Sequence, residues 1–195
     1  MDPAAAEALI VVDLQTAFVR GADAVPDADR LVAEIDRLLG RARAAGALIV
    51  HLRNDGPAGA PDEPGTDGWS LLRDPAPAEP VVAKSLDDGF RGTDLGEILR
   101  AAGVRRIAVC GVLSEMCVAA TARAALDRDY GVVLAHRAHG TYDVPPGPGS
   151  DGVPAAQAAR AAEWSLGDEV EIVADAGGVT FVPVPSSIGG RPRRP

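Results

Sequence analysis

The chain has 195 residues, a formal net charge of −9, 47% hydrophobic residues and only 4% aromatics. That is enough for one domain with a sizeable core, built from Ala, Val, Leu and Ile rather than from rings. The acidic balance argues against a nucleic-acid partner and against adhesion to anionic membranes, both of which need a basic surface. No apolar run reaches the roughly 18 residues of a transmembrane helix. The start lacks the basic region of a secretory signal, and the two cysteines, Cys110 and Cys117, do not make a disulfide framework. The expectation is a cytoplasmic protein with free thiols.

Leu9-Ile10-Val11-Val12 is a continuous apolar run ending at Asp13, as in a parallel strand buried on both faces. Asp29 to Ala45 carries Leu31, Ile35, Leu38, Leu39 and Ala42 at helical spacing, with Gly46 as a stop. Ala47 to Leu52 predicts a second strand. Asn54 to Gly68 is rich in Gly, Pro and Asp, a loop long enough to carry a function. Val81 to Ala83 predicts a short strand leading into Lys84. A helix over Leu95–Ala102 closes at Gly103, and a strand over Ile107–Val109 leads through Gly111 to a helix over Cys117–Leu126. Then come a strand over Gly131–Ala135, a helix over Pro154–Leu166 and a strand over Val170–Val173. This alternation predicts a three-layer α/β/α sandwich around a central, mostly parallel sheet. Residues 1–182 form the domain, and 183–195 a flexible tail rich in Pro, Gly and Arg.

Ligands bind such sheets at the carboxyl ends of the strands. Three reactive side chains follow predicted strands: Asp13, Lys84 and Cys117. A carboxylate beside a thiol can take its proton, and a lysine lowers the cost of the anions that form. A thiol at a helix start is expected to ionise more readily than a free one. Backbone N–H groups in the Gly111–Cys117 turn can form an oxyanion hole. Taken singly, each residue has an ordinary reading: a turn Asp, a solvated Lys, a small buried Cys. Cys110 fits that last description.

The motifs Val11-Val12-Asp13-Leu14-Gln15 with Phe18, Lys84 with Phe90, Gly92-Thr93 and Leu95, and Gly111-Val112-Leu113-Ser114 through Cys117-Val118 with Thr121 and Ala125 resemble the isochorismatase-like cysteine hydrolase superfamily. The resemblance runs from about residue 8 to 180 and agrees with the fold read from periodicity. It implies Asp13 as base, Lys84 as electrostatic partner and Cys117 as nucleophile. It also implies a cis peptide between Val112 and Leu113, aiming the Leu113 N–H into an oxyanion hole shared with that of Cys117. A homodimer or higher homo-oligomer is implied as well.

The departures from relatives narrow the chemistry. Isochorismatases proper, which cleave a vinyl ether, lack the cysteine that stands here at position 117. Nicotinamidases carry an Asp-x-His metal motif and a further His, whereas this chain reads His51-Leu52-Arg53-Asn54-Asp55. No metal or other cofactor is therefore expected. Ser114 stands where the nucleophile turn usually has Thr, and Arg137 where many relatives have Asp. His51 reads as a core or pocket-wall residue, and the three histidines lack metal-like spacing. Phe18, Trp69, Phe90, Ser114 and Met116 are candidate substrate contacts, although Trp69 reads equally well as a cover for the core edge. The implied activity is metal-independent hydrolysis of a C–N bond in a small amide, carbamoyl, ureido or lactam compound, streptothricin-type lactams included, through a thioester on Cys117. The alternatives are an ether hydrolase that keeps its cysteine idle, and a silent fold member acting through oligomer or partner contacts.

Overall fold

The computed structural model describes residues 5–184. Six strands form one sheet in the order β3-β2-β1-β4-β5-β6. They are β1 (Ala8–Val12), β2 (Leu48–Asn54), β3 (Val81–Lys84), β4 (Arg106–Val112), β5 (Gly131–Gly140) and β6 (Val170–Val173). Every ladder is parallel. The helices are α1 (Thr16–Val19), α2 (Ala28–Ala45), α3 (Leu95–Ala101), α4 (Ala119–Leu126) and α5 (Ala155–Ser165). A π-helical turn over Ser114–Val118 precedes α4, and a short 3₁₀ turn over Ala176–Gly178 follows β6.

The apolar runs are buried because both faces of the sheet are covered. Leu9 and Val11 of β1 join α2 residues Leu31, Ile35, Leu38 and Leu39 in one core. Ala8, Ile10 and Val12 point the other way, into a core with Leu95, Leu99, Ala122 and Ala125 from α3 and α4. This alternation along one strand is the period of two expected of extended chain. Each fully buried Leu or Ile contributes about 1.5–3 kcal/mol. Aromatic rings are scarce, so small residues set the spacing. At Gly111 (φ 122°) a Cβ would fall 2.0 Å from the Val12 carbonyl oxygen, so β1 and β4 approach this closely only with glycine there.

The boundaries depart from expectation where side-chain periodicity is silent. β4 extends from 106 to 112, so Cys110 lies inside the strand, with its thiol aimed at the Ile10 carbonyl 3.7 Å away. β5 runs to Gly140 rather than Ala135, through an irregularity in its pairing with β4. The helix expected from Cys117 starts at Ala119, and Cys117 sits in the π-helical turn instead. Val182 donates its N–H to the Ala6 carbonyl, and Val184 packs against the α3–α4 core, two residues into the expected tail. Residues 185–195 of that tail lie outside the described residues. Among the described residues, no helix is long and apolar enough to cross a membrane.

The strand order turns back between β1 and β4. A crevice opens at the carboxyl end of a parallel sheet at such a point. Asp13 follows β1 and the Leu113–Val118 segment follows β4, so the two segments flank that crevice.

Candidate active site

Asp13 leaves β1 with φ 49°, a left-handed conformation that Asp tolerates better than most residues. Its N–H still bonds the Leu52 carbonyl, which pins it to β2. Lys84 ends β3, paired in register with Asn54 of β2. Its ammonium is fully buried and lies 2.7 Å from Asp13 Oδ2. The same Nζ donates to Cys117 Sγ at 3.3 Å and to Asn54 Oδ1 at 3.4 Å. The structure therefore brings Asp13, Lys84 and Cys117 together from three strand ends.

Asp13 Oδ1 is buried and has no hydrogen-bond partner among the described residues. An orphaned carboxylate oxygen is costly unless something else satisfies it. The Cys117 thiol is its neighbour: Asp13 and that thiol are close enough to shift each other's titration. Burial raises the Asp13 carboxyl above the usual carboxylate range, although Lys84 and the Cys117 hydrogen bond pull it down. For Lys84, burial opposes the charge, but the attraction of Asp13 and Cys117 outweighs it and the ammonium is held more firmly than usual.

The helix-start expectation for the thiol is overturned. Burial first, and the Asp13 charge second, push Cys117 up to about 12, with Lys84 only partly compensating. A thiol held this high attacks a carbonyl only with a base beside it. Asp13, buried with raised proton affinity, is matched to that role. Cys117 Sγ also lies 3.6 Å from Asp87 Oδ1.

The turn that carries the cysteine is shaped by its backbone. The Val112–Leu113 peptide is cis. Met116 and Val118 both donate to the Leu113 carbonyl, and Met116 has non-helical angles (φ −104°, ψ −105°). The Leu113 N–H makes no intramolecular hydrogen bond among the described residues. An oxyanion hole needs a donor that is free in this way.

The candidate substrate contacts divide. Phe18 on α1 is half-buried against the α2-side core. Trp69 donates its indole N–H to Asp55 Oδ1 at 2.7 Å, and the Arg53 guanidinium lies 3.6 Å above its ring. It is thereby fixed beside the end of β2. Met116 is exposed. Phe90 is corrected: it is buried in the α3–α4 core and stacks on Tyr130. An aromatic ring gains more there than in a polar cleft. Ser114 is also buried, its hydroxyl bound to His139 Nδ1 at 2.9 Å, so it contacts a histidine rather than the crevice.

His51 lies inside β2, with Nε2 3.0 Å from Glu79 Oε2. Arg43 binds both oxygens of that carboxylate and, as the largest cause, holds Glu79 down at about 2. His51 belongs to this buried ion group. Arg137 lies 3.9 Å from Asp175. The spacing argument for the remaining histidines fails in three dimensions, because His136 and His139 both reach Glu163.

Several supporting residues carried no role in the sequence reading. Gln15 clamps the end of β2: its amide accepts from the Asn54 N–H at 2.8 Å and donates to the Asn54 carbonyl at 3.0 Å. It also donates to the Trp69 carbonyl at 3.1 Å. Asn54 in turn donates to Asp62 Oδ2 at 2.6 Å. The Gly/Pro/Asp-rich loop is thus tied to the Lys84 ammonium through Asn54. A polar residue two positions after Asp13 was the one available signal for Gln15.

Residues 7–147 match the family model described as the isochorismatase domain. The chain is 62% identical to a streptothricin hydrolase of Streptomyces noursei over 182 residues, covering 92% of this chain and 72% of that protein. The crystal structure of an isochorismatase from Pseudomonas putida KT2440 superposes with a TM-score of 0.84 at 29% identity, covering 92% of this chain and 93% of that one. A cysteine hydrolase from Pseudomonas syringae pv. phaseolicola 1448A superposes at 0.78 and 27% identity, covering 86% and 87%.

Proposed function

The chain belongs to the isochorismatase family, and from that premise we propose that it is a metal-independent cysteine hydrolase that opens a streptothricin-type lactam. The observation that carries this reading is the Lys84 ammonium, 2.7 Å from Asp13 and 3.3 Å from Cys117 Sγ. The likeness to streptothricin hydrolase supports the substrate class.

In this mechanism Asp13 Oδ1 takes the thiol proton as Sγ attacks the lactam carbonyl. The N–H groups of Leu113 and Cys117 receive the oxyanion. Lys84 stays charged throughout, so Asp13 and Sγ are never both unscreened anions in a buried site. Collapse of the tetrahedral adduct breaks the C–N bond, and Asp13 returns the proton to the departing nitrogen. Because the ring tethers that nitrogen, the thioester keeps every atom of the substrate. Asp13 then activates water, which releases Cys117. Phe18, Trp69 and Met116 are the candidate walls of the substrate site.

The test is turnover of a streptothricin-type lactam, followed as a product heavier by one water. The wild type should give that product and Cys117→Ala should not. Undiminished turnover by Cys117→Ala, at wild-type stability, would refute the mechanism. Assembly into a homodimer or larger homo-oligomer belongs to the same proposal. The exposed Trp164 of α5 is the apolar side chain to test, by light scattering of the wild type and Trp164→Ser.

A further inference from the structure

β5 does not run straight. Its pairing with β4 steps from Val109–Leu134 to Gly111–His139, so β5 spends five residues where β4 spends two. Residues three apart on a regular strand point to opposite faces. The irregularity removes that rule, and His136 and His139 meet with ring centroids 6.2 Å apart. Glu163 of α5 completes the group. Its Oε1 lies 2.6 Å from His136 Nδ1 and 2.9 Å from His139 Nε2. The side chains of His139 and Glu163 are each only 1% exposed, whereas that of His136 is 44% exposed.

We propose that His136 Nδ1, His139 Nε2 and Glu163 Oε1 form a binding site for one divalent transition-metal ion of the zinc type. The three ligand atoms all lie within 4.8 Å of one another. Ligands about 2.0–2.1 Å from a tetrahedral zinc stand about 3.3 Å apart. The two bonds to Oε1 need open by less than an ångström to admit the ion. Two imidazoles and one carboxylate suit a borderline ion rather than magnesium or calcium.

The surroundings fit as well. Glu163 Oε2 is engaged by Arg160 at 3.3 Å, which leaves Oε1 for the ion. The second nitrogen of His139 is bonded to Ser114 Oγ, the outer-shell contact that fixes a ligating histidine's tautomer. A cavity of about 500 Å³ borders His136 and His139 and gives access for a fourth ligand. Arg30 and Arg137 line the same cavity together with Asp27 and Asp143, so its charges balance and water serves as that ligand. Asp13, Lys84 and Cys117 contribute nothing to the site. Ser114, however, stands three residues before Cys117 in the same turn, so the ion would brace the turn that carries the nucleophile.

The experiment is titration of chelator-stripped protein with zinc by calorimetry, and with cobalt by visible absorption. The wild type should bind one equivalent, and cobalt should show ligand-field bands without a thiolate charge-transfer band. His136→Ala removes a half-exposed ligand with little risk to folding. It should weaken binding by more than the 10–100-fold typical of outer-shell changes. Glu163→Gln should do the same, and Cys117→Ser should keep full stoichiometry. Absence of binding at micromolar zinc would overturn the proposal and leave the three side chains as a hydrogen-bonded brace. An equivalent retained by His136→Ala and lost from Cys117→Ser would place the ion on the thiol, and would overturn it equally.

Discussion

Two polar groups flank the Leu113–Val118 turn, and they are finished to different degrees. On one side, Asp13, Lys84 and Cys117 hold a buried ion pair, a neutral thiol and a carboxylate oxygen without a partner. On the other, Ser114, His139, Glu163 and His136 form a chain in which every buried side-chain polar atom has a partner. In the proposed mechanism the first is where a proton moves and a bond forms. The second satisfies its polar atoms among its own members. Unmade bonds in a buried place cost stability, so a fold keeps them where chemistry uses them.

That contrast can be broken most severely at Cys117. Cys117→Ala should lower lactam turnover by about 10⁴-fold or more while leaving the thermal midpoint close to wild type. Product formation and a melting curve on the same preparation check both halves. Lys84→Met comes next, because it strands a buried carboxylate. It should cost roughly 3–5 kcal/mol in urea unfolding, and turnover should fall with it. If stability holds, Asp13 is not the desolvated anion described above.

A smaller effect separates the groups by pH. Burial raises the Asp13 carboxyl, so its base form is lost on acidification at a pH above the usual carboxylate range. The acid limb of kcat/KM should therefore sit above that of an exposed Asp. Asp13→Asn should lose turnover across the whole range rather than move the limb. The smallest effect is expected at Ser114. Ser114→Ala leaves His139 Nδ1 unpaired and should cost about 1–3 kcal/mol of stability. Its activity should fall less than that of any variant in the Asp13–Lys84–Cys117 group. A Ser114→Ala enzyme as dead as Cys117→Ala would erase the distinction.

Much of the first group is legible in the chain, because its members close buried strands. The run Leu9–Val12 ends at Asp13, and Val81–Ala83 leads into Lys84. Parallel topology then brings strand ends together without further information. The second group is not legible. His136 and His139 are three apart on a strand, which by pattern separates them, and the irregularity that joins them leaves no trace in hydrophobic period. Glu163 reads only as a polar position on an alanine-rich helix. Phe90 misleads for the opposite reason: proximity to Lys84 in sequence suggests the crevice, yet the ring is buried in the α3–α4 core against Tyr130. The state of the thiol also escapes a sequence reading. Helix position favours ionisation, but burial and Asp13 oppose it, and their balance depends on depth.

The central claim is that Cys117 attacks the carbonyl, with Asp13 taking its proton. Intact-mass spectrometry of acid-quenched enzyme mixed with a streptothricin-type lactam tests it most directly. The account predicts a transient adduct equal to the full substrate mass, mapped by peptide fragmentation to Cys117 and absent from Cys117→Ala. Turnover with no adduct at any quench time, or an adduct on another residue, would contradict it.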